Sequence, residues 1–183
     1  KTVDVLLITD KESLFLKAAL KSYKNFEVKI TDSNHLPEKD FDVYVIGNIN
    51  PNTNVFNKIK GRIQNGATLI LVMQTDSLAI DYGDLLHLNL EKRKSDGVIT
   101  LNQINKFTRD IEFGKVDQYF GVKNDAGIVI ASAENNSIIS LNKYGSGQVV
   151  YYGILEDYSD FKLSPFYPIF WVNLVKFVAG QDD

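Results

Sequence analysis

The chain of 183 residues contains no cysteine. This absence excludes disulfide bonds, thiolate metal sites and a cysteine nucleophile together. Histidine is scarce as well, since only His35 and His87 occur. Long hydrophobic runs are also missing, because the apolar stretches 67–73 and 166–175 are too short or too interrupted to cross a bilayer as a helix. No direct membrane insertion by this chain is expected.

A large excess of charge of one sign is missing too. The net charge is −3, and the 20 basic residues are scattered among 23 acidic ones. A nucleic-acid partner is therefore not expected. With 44% hydrophobic residues, the chain can bury one sizeable core. We predict a single domain over residues 1–183, excised from a longer protein because the first strand begins almost at once.

The first part of the chain alternates between strand and helix signals. Apolar runs at 3–8, 41–47 and 67–73 are typical of buried strands, and the segments 11–23 and 52–64 between them have helical spacing. Such βα units predict a parallel sheet with helices on both faces.

Later segments predict an antiparallel meander. Strand signals at 127–131, 137–141 and 147–153 are separated by turn residues, and a helix follows from Pro168. The region 75–125 is irregular, and its charged stretch 91–97 is interpreted as a solvated turn. Gly145-Ser146-Gly147 lies between two strands, which favours a hairpin over a phosphate-binding loop. No cofactor is expected.

Two linked segments resemble a known family. The run LNKYGSGQVVYYG at 141–153 and the run YSDFKLSPFYP at 158–168, followed by an apolar helix with Asn173-Leu174, resemble the class I glutamine amidotransferase-like domains of BatA-type, von Willebrand factor A-containing, membrane-anchored prokaryotic proteins. Segments 41–48 and 65–72 are similar to the flavodoxin-like core of those domains. The segment 105–111 resembles one that often contains a His-Pro pair, but neither residue is present here.

The resemblance implies an α/β fold, a flavodoxin-like three-layer sandwich with a mostly parallel central sheet and an antiparallel β extension. It also implies membrane association through a parent protein, with an extracytoplasmic position as one option. Amidotransferase catalysis on this fold needs a thiol on a strand-to-helix turn. In this fold the thiol would lie at residues 74–77. The sequence there is Gln74-Thr75-Asp76-Ser77, which contains no thiol.

The carboxyl edge of the parallel strands is where open α/β sheets form their ligand crevice. We expect a ligand-binding site there, and Asp10, Asn48, Gln74, Thr75 and Asp76 are its candidate residues. Loop and cap roles explain the same residues equally well.

Aromatic and acidic side chains supply further candidates. Tyr158, Phe161, Phe166 and Tyr167 form a candidate interaction surface, for which core packing is the alternative. The acidic sets Asp76 with Asp81 and Asp84, and Glu156-Asp157 with Asp160, have the oxygen ligands of a hard-cation site. Solvated loop acids are the alternative for both sets, and the first set lacks the ligand spacing and turn glycine of an EF-hand loop, so no metal is predicted.

Together these features predict a non-catalytic ligand- or protein-binding module, serving assembly within a larger membrane-associated protein. The chain is not expected to be an enzyme, and its partner is expected to be protein. Two alternatives stay open. One is a hydrolase with a non-thiol site near Ser77 or His87, and the other is an oligomerisation or spacer domain. The sequence does not set the oligomeric state.

Overall fold

A computed structural model describes residues 1–181, in which nine strands and three α-helices form. The strands are β1 Val3–Ile8, β2 Phe26–Thr31, β3 Val43–Ile46, β4 Thr68–Val72, β5 Asn89–Leu101, β6 Lys115–Lys123, β7 Ile128–Ala133, β8 Asn136–Tyr144 and β9 Gly147–Tyr152. The helices are α1 Leu14–Lys21, α2 Val55–Gln64 and α3 Phe166–Val178. Short 3₁₀ turns are at Ser77–Ala79, Gly83–Leu85, Glu156–Tyr158 and Phe161–Leu163.

All nine strands belong to one sheet, in the order β2-β1-β3-β4-β9-β8-β7-β5-β6. The pairs β2-β1, β1-β3, β3-β4 and β4-β9 are parallel. The pairs β9-β8, β8-β7, β7-β5 and β5-β6 are antiparallel. Strand β9 is therefore the junction of a parallel half and an antiparallel half.

The predicted flavodoxin-like sandwich with a mostly parallel sheet was wrong, because antiparallel pairings are as numerous as parallel ones. The error concerns the region 75–125, where charged residues obscured the sequence pattern of strands β5 and β6. The stretch 91–97, predicted to be a turn, runs through the middle of β5, where most side chains are exposed. A strand held by backbone pairing to β6 needs no apolar alternation on its solvent face.

Both faces of the sheet are covered, as predicted. Successive residues of β1 enter different clusters, with Leu7 on the face of α1 and α3 and Ile8 on the face of α2. Phe170 and Trp171 of α3 are fully buried in the first cluster, and Trp171 is its largest side chain. Alternation along a strand thus fills two cores at once.

A tight hairpin joins β8 to β9, as the glycines predicted. Tyr144 pairs with Gly147, and Gly145 adopts the left-handed region with φ of 60°. The hairpin lies against the end of α2, since a Cβ atom on Gly147 would be 2.0 Å from the Ile63 carbonyl oxygen and 2.2 Å from that of Ala67. Only glycine fits at this contact.

We predict that Gly147→Ala lowers the free energy of unfolding by about 3 kcal/mol, because backbone carbonyls cannot move aside cheaply. Gly61→Ala is the matched control, because Gly61 is exposed on α2 with no atom within 4 Å of an added Cβ. This control should stabilise the protein by about 0.5–1 kcal/mol. Urea denaturation measures both, and equal effects would contradict the proposed backbone contact.

Candidate functional site

A crevice of about 420 Å³ opens at the carboxyl edge of the parallel strands. It is bounded by the first turn of α1, the ends of β3, β4 and β9, the segment 154–162 and the start of α3. Parallel strands all end at this edge, so the loops that follow them meet there. The sequence predicted a crevice in this place.

Four of the five predicted ligand residues, Asn48, Gln74, Thr75 and Asp76, line the crevice. The fifth, Asp10, does not. Its carboxylate accepts hydrogen bonds from Ser33 N at 2.8 Å, from the Ser33 hydroxyl at 2.7 Å and from Asn50 N at 2.7 Å. Asp10 therefore joins three loops of this edge and has a structural role.

The Gln74 side chain also forms hydrogen bonds with the backbone. Its Oε1 accepts from Ile49 N at 2.9 Å, and its Nε2 donates to the Ile49 carbonyl at 2.8 Å and to Asp76 Oδ1 at 2.7 Å. The amide thus pairs with Ile49 as a neighbouring strand would. Gln74 therefore forms part of the crevice wall, and its amide has little hydrogen-bonding capacity left for a ligand.

Asn48 turns the chain sharply at the end of β3. Its φ is 53°, a left-handed value that asparagine tolerates better than most residues. Its carbonyl accepts from the backbone N–H groups of Asp10 and Lys11, and its Nδ2 donates to Ser13 Oγ at 2.9 Å. This turn fixes the position of the chain that enters α1.

Sequence reasoning did not place the residues of the other wall in the crevice, although it named Tyr167 for an interaction surface and Glu156 in an acidic set. Tyr152, Glu156, Lys162 and Tyr167 line the crevice, but they follow the antiparallel meander and so carry no strand-end signal of the parallel half. The pairing of β9 with β4 places them opposite Gln74. A prediction that β9 returns to the parallel half would have found them.

Ser77 and His87, the residues of the hydrolase alternative, have separate partners. Ser77 is buried, and its hydroxyl accepts from Gln74 N at 2.9 Å and bonds the Tyr82 hydroxyl at 2.8 Å. Burial raises the pKa of Tyr82 far above its usual range, although the hydrogen bond to Ser77 opposes this rise. This phenol therefore stays protonated. Ser77 therefore has a structural role at the turn that follows β4.

His87 is buried on the antiparallel half, beside Asp125 and Ser140. Its Nε2 lies 2.7 Å from Ser140 Oγ, and that hydroxyl donates to Asp125 Oδ1 at 2.9 Å. The same carboxylate accepts from Ser137 Oγ at 2.7 Å and from Gly127 N at 2.8 Å. In hydrolase triads the histidine stands between serine and acid. Here the serine stands between the other two and is fully buried.

Burial lowers the pKa of His87 from its usual value, and the nearby negative charge of Asp125 opposes this effect. The folded state therefore holds His87 neutral at a pH at which the unfolded chain binds a proton. His87 Nδ1, which is enclosed without a hydrogen-bond partner within residues 1–181, adds to the cost of charging the ring.

The four aromatic residues predicted to form an interaction surface are largely in the core. Phe161 and Tyr167 are 3% and 6% exposed, and Tyr158 and Phe166 are half-buried. The rings of Phe161 and Tyr167 pack edge to face at 5.3 Å, so burial on α3 explains them. The apolar side chains exposed nearby are instead Leu163 and Ile169.

The acidic sets are dispersed. Asp84 accepts from the Tyr144 hydroxyl at 2.7 Å and Asp81 accepts from Gly83 N at 2.9 Å. No group of three or more potential ligands that could hold a metal ion is present among residues 1–181.

A family model described as a domain of unknown function, DUF7408, matches residues 4–174. The chain belongs to this family. Comparison with curated proteins gave no match. The structure is similar to the cytoplasmic proteins STM1381 and STM3548 of Salmonella typhimurium, with TM-scores of 0.79, identities of 13% and 14%, and coverage of 96% of this chain and 99% and 98% of theirs.

A β-galactosidase from Rahnella sp. R3 is also similar, with a TM-score of 0.66 and 12% identity over 97% of this chain and 31% of the enzyme. These low identities show a shared fold and no more.

These findings correct two further predictions. The descriptions flavodoxin-like and glutamine amidotransferase-like are not supported, because half of the strand pairings in this chain are antiparallel and the family description names neither. The predicted membrane association is also withdrawn. STM1381 and STM3548 are described as cytoplasmic, and no helix within residues 1–181 is long and apolar enough to cross a membrane.

Replacing Asp10 with alanine should lower the free energy of unfolding by about 2–3 kcal/mol, because buried Ser33 loses charge-assisted hydrogen bonds. Asp157→Ala is the control, since Asp157 is an exposed carboxylate on the crevice rim, and its effect should stay within about 0.5 kcal/mol. Thermal or urea unfolding compares the two. A small effect of Asp10→Ala would show that the three loops hold together without it.

The stability of the protein should depend on pH through His87. Because the folded pKa is lowered, this contribution is complete above the unfolded value of about 6.5 and is lost as pH falls through the window below it. NMR titration of the His87 ring should give a pKa below 6.5. Asp125→Asn should lower it further, and a higher value in that variant would contradict the assignment.

Proposed function

We propose that the chain is a non-catalytic module that binds a small ligand in the crevice. The observation that carries this proposal is the crevice of about 420 Å³ itself, which polar residues such as Asn48, Thr75 and Glu156 line together with apolar ones such as Leu16 and Phe161. A concave site with an apolar lining and a few polar groups is typical of small-ligand binding.

The crevice walls support binding because they are fixed before a ligand arrives. Gln74 ties the end of β4 to Ile49, and Asp10 ties the loops after β1, β2 and β3 together. A site built on such loops loses little conformational freedom on binding, which favours affinity.

The non-catalytic part of the proposal rests on the hydroxyl at the nucleophile position. Ser77 is turned inward and bonded on two sides, whereas a serine nucleophile needs an exposed hydroxyl and a base beside it. The one buried histidine, His87, contacts Ser140 instead. The oligomerisation alternative stays a prediction, as does a protein partner.

Blocking the crevice should abolish binding without unfolding the protein. Leu14 lies on the crevice rim and is 60% exposed, so Leu14→Trp places an indole in the opening. Leu163→Trp is the matched control, because Leu163 is 66% exposed and lies outside the crevice lining.

A mixture of n-hexanol, hexanoate and n-hexylammonium, observed by NMR, is the probe. We expect chemical-shift changes at the amides of Asn48, Gln74 and Thr75 in the unsubstituted protein and in the Leu163→Trp variant. The Leu14→Trp variant should show none. Changes that persist in Leu14→Trp, or that are absent from every chain, would refute the crevice as a binding site.

A further inference from the structure

The two ends of the sheet differ in what lies beside them. Strand β6 is the last strand at one end, and other parts of the chain bond to its outer side. Asn136 Oδ1 accepts from Val122 N at 3.0 Å, and Val116 forms an isolated antiparallel bridge with Ser159. Strand β2 is the last strand at the other end, and within residues 1–181 it pairs only with β1. The β2 edge is therefore the open edge of the sheet.

Alternate residues of β2 direct their backbone groups towards this open edge. The carbonyls of Asn25 and Thr31 both accept hydrogen bonds from the chain of β1, at 2.9 Å each, and the parallel register between these points is unbroken. In such a ladder successive residues face the neighbouring strand and the opposite side in turn. Odd-numbered residues therefore face β1, and the N–H and C=O groups of Val28 and Ile30 face outward.

The sequence of β2 makes this edge complementary to itself. Antiparallel pairing of two copies about Val28 places Val28 against its own counterpart and Glu27 against Lys29. The same register places Phe26 against Ile30. Val28 then takes a hydrogen-bonded position, because its backbone faces outward. Glu27 and Lys29 are exposed and take the flanking non-hydrogen-bonded positions, where opposite side chains lie closest.

Charge and hydrophobicity both favour this pairing. Charged side chains on an edge strand commonly hinder association, but here the two charges are of opposite sign and flank the centre of the pairing. The twofold symmetry therefore forms two Glu27–Lys29 pairs and no like-charge pair. On the other side of the strand, Ile30 is 36% exposed and Val28 is half-buried. Pairing removes both from water.

We infer that β2 is a self-association surface, through which two copies of this chain pair antiparallel and join their sheets across a twofold axis. A strand of six residues is small beside a stable interface. The dimer is therefore weak and forms as the protein concentration rises. No residue of β2 lines the crevice, so this association goes beyond the proposed ligand binding and does not depend on it.

Sedimentation equilibrium from about 10 μM to about 1 mM protein tests the inference. We expect a monomer at the low end and a growing fraction of dimer at the high end. Amide hydrogen exchange at Val28 and Ile30 should slow over the same range, because these N–H groups face the second copy. A chain that stays monomeric at the highest concentration overturns the inference.

Charge reversal distinguishes β2 from any other surface. Glu27→Lys and Lys29→Glu should each weaken the dimer about tenfold or more, because both symmetry-related pairs become repulsive. An equimolar mixture of the two variants should dimerise again, since opposite charges then face each other across the pairing.

Two exposed residues of β6 supply the matched controls. Asp117→Lys and Lys115→Glu change the net charge by the same amounts on the closed edge, and both should dimerise like the unsubstituted protein. A dimer that tolerates the reversals in β2, or a mixture that regains no association, refutes pairing through β2.

Val28→Pro tests the backbone contribution. It removes the central outward N–H and keeps the ladder to β1, which uses odd-numbered residues, and proline is tolerated on an edge strand where its position faces solvent. The variant should abolish the dimer while its circular dichroism stays unchanged. A folded Val28→Pro protein that still dimerises contradicts the inference. If the variant does not fold, the charge reversals at exposed positions decide.

Discussion

Strand β9 holds the molecule together, because it pairs in parallel with β4 on one side and antiparallel with β8 on the other. The parallel pairing brings the end of β9 beside the end of β4. It thereby sets Tyr152 and the turn of Glu156 opposite Gln74, which lies far away in the sequence. Every feature of the crevice depends on that one register, since neither wall alone encloses a cavity.

The inner strands of the parallel half could be predicted from the sequence because they are buried on both faces and form nearly continuous apolar runs. Val3–Ile8 and Thr68–Val72 are of this kind, and the hairpin at Gly145 carries its own turn signal. Strand β5 could not be found in the same way. Its side chains are mostly exposed, and its strand character comes from pairing with β6, a long-range property that no local pattern contains.

The crevice lies where the sequence predicted it, and four of the five candidate residues line it, but the roles of these residues were not predicted. Polar residues after buried strands indicate the carboxyl edge. At the same position, however, their side chains can form hydrogen bonds with the backbone of the exposed loops. Asp10 and Gln74 serve that purpose, and Asn48 turns the chain. Tyr167 was instead predicted to lie on an interaction surface, whereas its ring packs in the core beside the crevice.

The position of β9 between β4 and β8 also has a consequence during protein synthesis. Strands β1 to β4 leave the ribosome before β9, with the apolar edge of β4 unpaired and one sheet face covered only in part, by α1, until α3 has been made. Long-range parallel pairing is slow to form, and an unpaired apolar edge favours association with other chains. The nascent chain therefore has its greatest need of chaperone protection before residues 147–178 emerge.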